Sequence, residues 1–291
     1  MPDDSGVLAS QLRQVGVPDH QVLELVRLLL AVAADEPAAH RAEVLEALLG
    51  KQVGQLFERG SVFEPSDFVI GPGHGAVPLL ALLRARTVVE RYWSDLGLPE
   101  EVRHDTAAEI GRQTTKTERV NGYVGLADAA WVETVFRGGF AQIGRLQFEL
   151  INDEGRKQYV LNTHIPEGGP LGAEAVADSL KGGRALMSVA FPQYGPIRMA
   201  VCDSWLLDPQ LAKLAPGSNI ARFQELWTLD GSGPGDSEVL YFVFDLPRGS
   251  VATIAELLPG LLPHTRLQRS LVDFWRVGGT MRCHTGSLQL P

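Results

Sequence analysis

The apolar residues of this chain change period part-way along it, and that change limits what the chain can fold into. In VPDHQVLELVRLLLAVAA, Val22, Leu23, Val26, Leu29 and Leu30 recur every three to four residues. That spacing gathers side chains on one helix face, and Pro18 suits a first helical turn. HRAEVLEALLGKQVGQLFERG and AVPLLALLRARTVVERYW keep the same period, and LADAAWVETVFRGGFAQI predicts one more helix. RLQFELI then alternates Leu146, Phe148 and Leu150 with Arg145, Gln147 and Glu149, the two-residue period of a half-buried strand.

From there the turn NDEGRK leads into QYVLNTHI and predicts an antiparallel hairpin. HIPEGGPL follows, then a helical stretch GAEAVADSLKGGRALMSVAF and an apolar strand IRMAVCDSW. LLDPQLAKLAPGS reads as a short helix, IARFQELWTL as a strand, DGSGPGDSE as a loop and VLYFVFD as a strongly apolar strand. LQRSLVDFWRVGGTMRCHTGSLQL predicts a helix, a Gly-Gly break and a last strand. Helices interleaved with strands in this way predict an α+β or α/β layered fold for residues 122–291, behind a helical domain over residues 1–121.

Several function classes are disfavoured. The chain has 291 residues, 45% hydrophobic and 21% charged, with no apolar run near the ~20 residues of a membrane helix. Its formal charge of -9 works against general affinity for nucleic acid or an anionic membrane, since both need clustered positive charge. MPDDSGVLASQL is acidic where a secretory signal has a basic start and an apolar stretch, so a cytoplasmic protein is expected. Cys202 and Cys283 lack any paired-cysteine spacing and are expected as buried thiols. The seven histidines form no metal-binding spacing, and no metal is expected.

Two patterns in the helical half have structural explanations. VGVPDHQVLELV and LGLPEEVRHDTAAEI each run glycine, apolar residue, proline, acidic residue into a helix, which is repeated helix-start chemistry. Gly71, Gly73 and Ala76 match the glycine spacing of a dinucleotide-binding turn, but helix, turn and helix follow where a βαβ unit needs a second strand. A glycine-rich joint between helices is expected there.

The motifs GRLQFEL (144–150), HIPEGGPL (164–171), SWLLDPQL (204–211), SNIARFQ (218–224) and LQRSLVDFWRVGG (267–279) together carry a resemblance. In this combination the chain resembles the branch of the GNAT superfamily that joins a helical N-acyltransferase N-terminal domain to a GNAT-like C-terminal domain. The resemblance implies a mixed sheet flanked by helices, and transfer of an acyl group from acetyl-CoA or another acyl-CoA to an amine. A small-molecule or peptide amine would be the acceptor, and an acyl carrier protein is an alternative donor. In such enzymes the cofactor pyrophosphate rests on backbone N–H groups of the loop after the fourth strand. QYVLNTHI is similar to that strand, so HIPEGGPL enters the loop, and Gly168, Gly169 and Gly172 are the expected cofactor contacts. An N–H-rich helix start favours an anion there. Two departures accompany the match. The Gln/Arg-x-x-Gly-x-Gly/Ala pattern common in the superfamily is missing, and Pro170 and Glu167 bring no N–H and a negative charge to the loop.

Acyl transfer to an amine needs a proton acceptor, oxyanion donors and a proton for the leaving thiolate. His164 ends the apolar strand on the face of Asn162 and Val160 and could accept the ammonium proton, or serve only as a wall residue. Glu167 could orient His164 or bind a cationic substrate, or cap the next helix. Asp203 and Ser204 end the neighbouring strand. Relatives resembling this chain carry His where Asp203 stands, and Ser204 is either a thiolate proton donor or a helix cap. Glu149 and Gln147 read equally as a cleft base with its neighbour or as a solvated strand face. A binding protein that keeps the fold without catalysis, or an enzyme using the acyl pocket for hydrolysis or rearrangement, are the rival functions.

Overall fold

The computed structural model describes residues 4–249 and 253–290. Its chain forms two compact units, one over Met1–Ile143, Gln147–Tyr159 and Ala185–Pro196, the other over Gly144–Leu146, Val160–Arg184 and Ile197–Pro291.

Most of the first unit is helical: α1 (Asp4–Gln14), α2 (Asp19–Ala34), α3 (Glu36–Gln52), α4 (Ala76–Asp95), α5 (Glu100–Ala107), α6 (Glu109–Asn121) and α7 (Ala129–Phe136). The inward face of α2 is Val22, Leu25, Val26, Leu29 and Val32. Leu23 and Leu30 are exposed, so the apolar stripe is turned slightly from the expected one, and Leu25 and Val32 complete it. Leu12, Leu45, Leu79 and Leu82 add further fully buried side chains.

The repeated helix-start pattern has a matching geometry. Gly16 and Gly97 both take positive φ (78° and 76°), and Pro18 and Pro99 both sit at the N-cap with extended backbone. Pro18 therefore precedes the first helical residue instead of occupying it. The glycine-rich joint is also structural. Apolar Phe68 closes a 3₁₀ turn (Pro65–Phe68) where a dinucleotide fold needs a strand. A Cβ on Gly75 would lie 1.9 Å from the Leu126 carbonyl oxygen, so two backbone segments cross there at a distance only glycine permits.

Two charged clusters fix loops and helices of this unit. Buried Asp67 takes two bonds from Arg41, at 2.6 and 2.8 Å. Buried Glu109 accepts from Arg112 (2.6 Å), Gln113 (2.7 Å), Trp131 (2.7 Å) and Gln147 (2.8 Å), tying α6 to α7 and to β2.

The strands are β1 (Phe140–Ile143), β2 (Leu146–Asp153), β3 (Gln158–His164), β4 (Met199–Ser204), β5 (Thr228–Pro234) and β6 (Arg282–Gln289), in the sheet order β1-β2-β3-β4-β6-β5. The sheet is mixed: β3 and β4 are parallel, while β6 is antiparallel to both β4 and β5. A four-residue turn joins neighbouring β2 and β3, which requires the hairpin expected from NDEGRK. α8 (Ala173–Ala190) follows β3, and α9 (Pro209–Leu214), α10 (Asn219–Gln224), α11 (Asp236–Phe244), α12 (Ile254–Leu257) and α13 (Arg266–Arg276) lie between or after the later strands.

Four segments depart from the sequence expectation. The helix expected over LADAAWVETVFRGGFAQI stops at Phe136; Gly138 has a φ of 96°, and β1 begins at Phe140. VLYFVFD is helix α11, because Val239, Leu240, Val243 and Phe244 pack on a cluster with Trp205, Leu271 and Trp275, an i, i+1, i+4, i+5 pattern. A short apolar run does not distinguish a buried strand from a buried helix. IARFQ is also helical, started by Ser218 accepting from the Ala221 N–H at 3.2 Å. The loop-like DGSGP is most of β5, an exposed edge strand whose bulge between Leu229 and Gly231 leaves no hydrophobic alternation to read.

Candidate active site

β3 is an apolar strand whose alternation carries two polar side chains, Asn162 and His164, to its C-terminal end. Its ladder with β4 pairs Leu161 with Ala200 and Asn162 with Val201, and stops there. β3 runs on to His164 and β4 to Ser204, so the two parallel strands part at this point. β4 meanwhile stays paired with β6 as far as Ser204 opposite His284. His164 and Asp203 therefore stand at corresponding register positions beyond the last paired residues of β3 and β4.

His164 is half-buried, and its Nε2 lies 3.1 Å from Nδ2 of Asn162. The Asn162 amide therefore orients the imidazole at the end of β3. Asp203 is exposed. Ser204 accepts a bond from the Leu206 N–H at 3.1 Å and so caps the 3₁₀ turn Trp205–Leu207. Its hydroxyl proton has no acceptor among the described residues. The Cys202 thiol, 1% exposed, is pushed far above the ordinary thiol range by burial and then by Asp203. Half-buried Cys283 is pushed up to about 11 by the same causes, so neither thiol is poised as a nucleophile.

Beyond His164 the chain turns through Ile165–Gly172 into α8. Gly168 and Gly169 take φ of 98° and 68°, conformations that L side chains rarely adopt. A Cβ on Gly168 would meet nothing within 4 Å, so that side of the loop is open. The N–H groups of Gly168, Gly169, Leu171 and Gly172 have no acceptor among the described residues. The loop carbonyls, by contrast, are engaged: Arg145 donates Nη1–H to Pro166 O (2.9 Å) and Nη2–H to Gly169 O (3.3 Å). Glu167 is exposed at the rim of this turn.

Arg145 was visible in the sequence only as a polar residue on a strand face; its contacts with the loop are tertiary. Asn162 was likewise only a neighbour of His164 on one face. Gln147, 2% exposed, does not lie on a solvated face, since it donates to Glu109. Among the described residues no group of three or more His, Cys, Asp or Glu could hold a metal ion, and no helix is long and apolar enough to cross a membrane.

Residues 140–288 match the family model of the GNAT-like C-terminal domain, and residues 7–138 match that of the N-acyltransferase N-terminal domain. The chain belongs to this acyltransferase family. Solved structures similar to the acyltransferase include one in complex with decanoyl-CoA (27% identity, TM-score 0.84) and one with CoA and 10C-teicoplanin (28%, TM-score 0.85). A third is in complex with decanoyl-CoA and teicoplanin (28%, TM-score 0.84). Each comparison covers 98% of this chain and 88% of the other. No curated protein matches the acyltransferase.

Proposed function

We propose that this acyltransferase moves an acyl group from acyl-CoA to an amine of a small molecule or peptide, by direct attack between the C-terminal ends of β3 and β4. One observation carries the reading. The parted strands lead directly into a loop with free N–H groups and engaged carbonyls, so a thioester could lie between the strands while its phosphates meet the loop. Gly168, Gly169 and Gly172 would contact the phosphates through backbone N–H groups, which suits an anion at the entrance to an 18-residue helix. That similar structures hold decanoyl-CoA, CoA and teicoplanin supports the choice of an acyl-CoA donor and of a small-molecule acceptor.

In this reaction the amine nitrogen forms the new C–N bond, the thioester C–S bond breaks, and the proton lost by the amine ends on the departing thiolate. His164 is the group best placed to receive that proton or to orient the amine, with Asn162 holding the ring. Exposed Glu167 and Asp203 place negative charge near a protonated amine as it arrives. Ser204 can cap with its oxygen lone pair and still offer its proton to the thiolate.

The test is thiol release from decanoyl-CoA, with and without a panel of amines including teicoplanin. Release that depends on an amine, with the acyl-amine product formed in equal amount, is the expected result. Release without any amine would mean a hydrolase, and no release with any donor would mean a binding protein.

A further inference from the structure

Arg145, in the turn before β2, makes contacts that a surface position does not explain. Its backbone N–H donates to Ser179 Oγ of α8 (2.8 Å), and its guanidinium bonds Pro166 O and Gly169 O. Ser179, 1% exposed, in turn donates to Ala175 O (2.7 Å), so the tie to α8 is anchored within the helix. The preceding Gly144 takes a φ of 58° with Ser179 Oγ only 2.8 Å from where a Cβ would be, which keeps this turn close against the helix. One residue thus braces the start of the loop, its second glycine and the helix that follows.

The same side chain has unused capacity. Its Nε–H is buried and has no hydrogen-bond partner among the described residues, and none of their carboxylates pairs with the guanidinium. Burial lowers its pKa from the ordinary guanidinium value. A half-buried cation held against two carbonyls, without a counter-ion, is costly unless an anion completes it.

We infer that Arg145 is a positioning residue for the cosubstrate: it draws the loop carbonyls inward so that the N–H groups of Gly168, Gly169 and Gly172 face outward, and its charge is balanced by the bound phosphates. This rests on the acyl-CoA reading above and adds to it the residue that sets the loop. Arg145 does not touch the reacting atoms, so its effect falls on binding of the phosphate-bearing part of the donor. A preset loop spares the ligand the entropy of ordering it.

Calorimetric titration of CoA and of decanoyl-pantetheine, which lacks the phosphates, into the full chain and its Arg145→Met and Arg145→Lys variants tests this. Arg145→Met should raise the Kd for CoA about tenfold or more, the order expected for losing hydrogen bonds to a charged group. Decanoyl-pantetheine affinity should stay within about twofold by the same reasoning, because its contacts do not involve the loop. Arg145→Lys, with its charge but not its fork, should recover part of the loss. Equal CoA affinity in the wild type and Arg145→Met overturns the inference alone, as does a proportional loss of both ligands, the mark of a merely structural role. Failure of the wild type to bind CoA overturns the acyl-CoA reading and the inference with it. If Arg145→Met does not fold, Arg145→Lys decides: wild-type CoA affinity in that variant counts against the role of the fork.

Discussion

Replacing Glu109 by glutamine tests whether the helical unit depends on one buried carboxylate. Glu109 is 3% exposed, and its oxygens are divided evenly: Oε1 accepts from Gln113 and Trp131, and Oε2 from Arg112 and Gln147. Glutamine has the same shape, but its amide nitrogen must replace one oxygen and face two donors. In either orientation Arg112 loses its counter-charge; with the nitrogen at Oε2 buried Gln147 also loses its acceptor, and with it at Oε1 the Trp131 indole N–H does. A buried donor without an acceptor costs about 1–3 kcal/mol. Arg112 and Gln113 are only partly buried and can turn to water, so the sum is roughly 2–4 kcal/mol. At about 2–4 °C per kcal/mol for large domains, the melting midpoint should fall by roughly 4–16 °C. Scanning fluorimetry gives the midpoint, and urea unfolding followed by tryptophan emission gives the free energy with Trp131 as a reporter inside the cluster. A fall below about 2 °C would refute the reasoning, because it would mean that the four donors find other partners at little cost. Glu109→Gln should leave the kcat of the folded fraction unchanged, since a carboxylate with four donors on it has no lone pair to offer a substrate.

His164→Ala should lower kcat by about 10²–10⁴, the usual contribution of a positioned general base, and near-normal turnover in a thiol-release assay would remove His164 from the chemistry. Ser204→Ala separates two uses of one hydroxyl: loss of the cap should cost about 1 kcal/mol in urea unfolding, while kcat falls less than about threefold if capping is its main role. Stability should also decline in acid through Asp67. Burial alone would raise its pKa, but the Arg41 guanidinium and the Glu64 N–H together hold it below the ordinary carboxylate value. A folded-state pKa below the unfolded one means that its stabilisation is complete above the unfolded value and is lost as pH falls through the folded one. Asp67→Asn should therefore destabilise the protein at pH 7 and flatten the acid limb of a melting-midpoint profile, and an unchanged limb would show that other carboxylates set it.

The helical half was legible because its signal is local. Amphipathic period, proline at helix starts and glycine at helix ends are all properties of consecutive residues, and α2 and the two Gly-x-Pro starts follow them. The errors fall where the partner, not the local pattern, decides. Apolar VLYFVF is a helix because Trp205, Leu271 and Trp275 supply a packed surface on one side of it. β5 is a strand because β6 offers a free edge, although its own residues are small, polar and exposed. Neither partner can be seen from within the segment.

The candidate site divides along the same line. The end of β3 and the two positive-φ glycines could be placed from sequence because strand alternation and a glycine pair are local signals. The bonds of Arg145 to Pro166 and Gly169 join residues 21 and 24 positions apart, and they bear on the main departure of this chain from the wider superfamily pattern. That pattern begins the loop with Gln or Arg, and HIPEGGPL has neither. In the folded chain a guanidinium nevertheless lies against the loop, brought from the turn before β2 and fixed to α8 through Ser179. If the CoA titrations bear out its role, the missing loop residue has a spatial substitute, and Pro170 costs little because it lies between Gly169 and Leu171, whose N–H groups are both free.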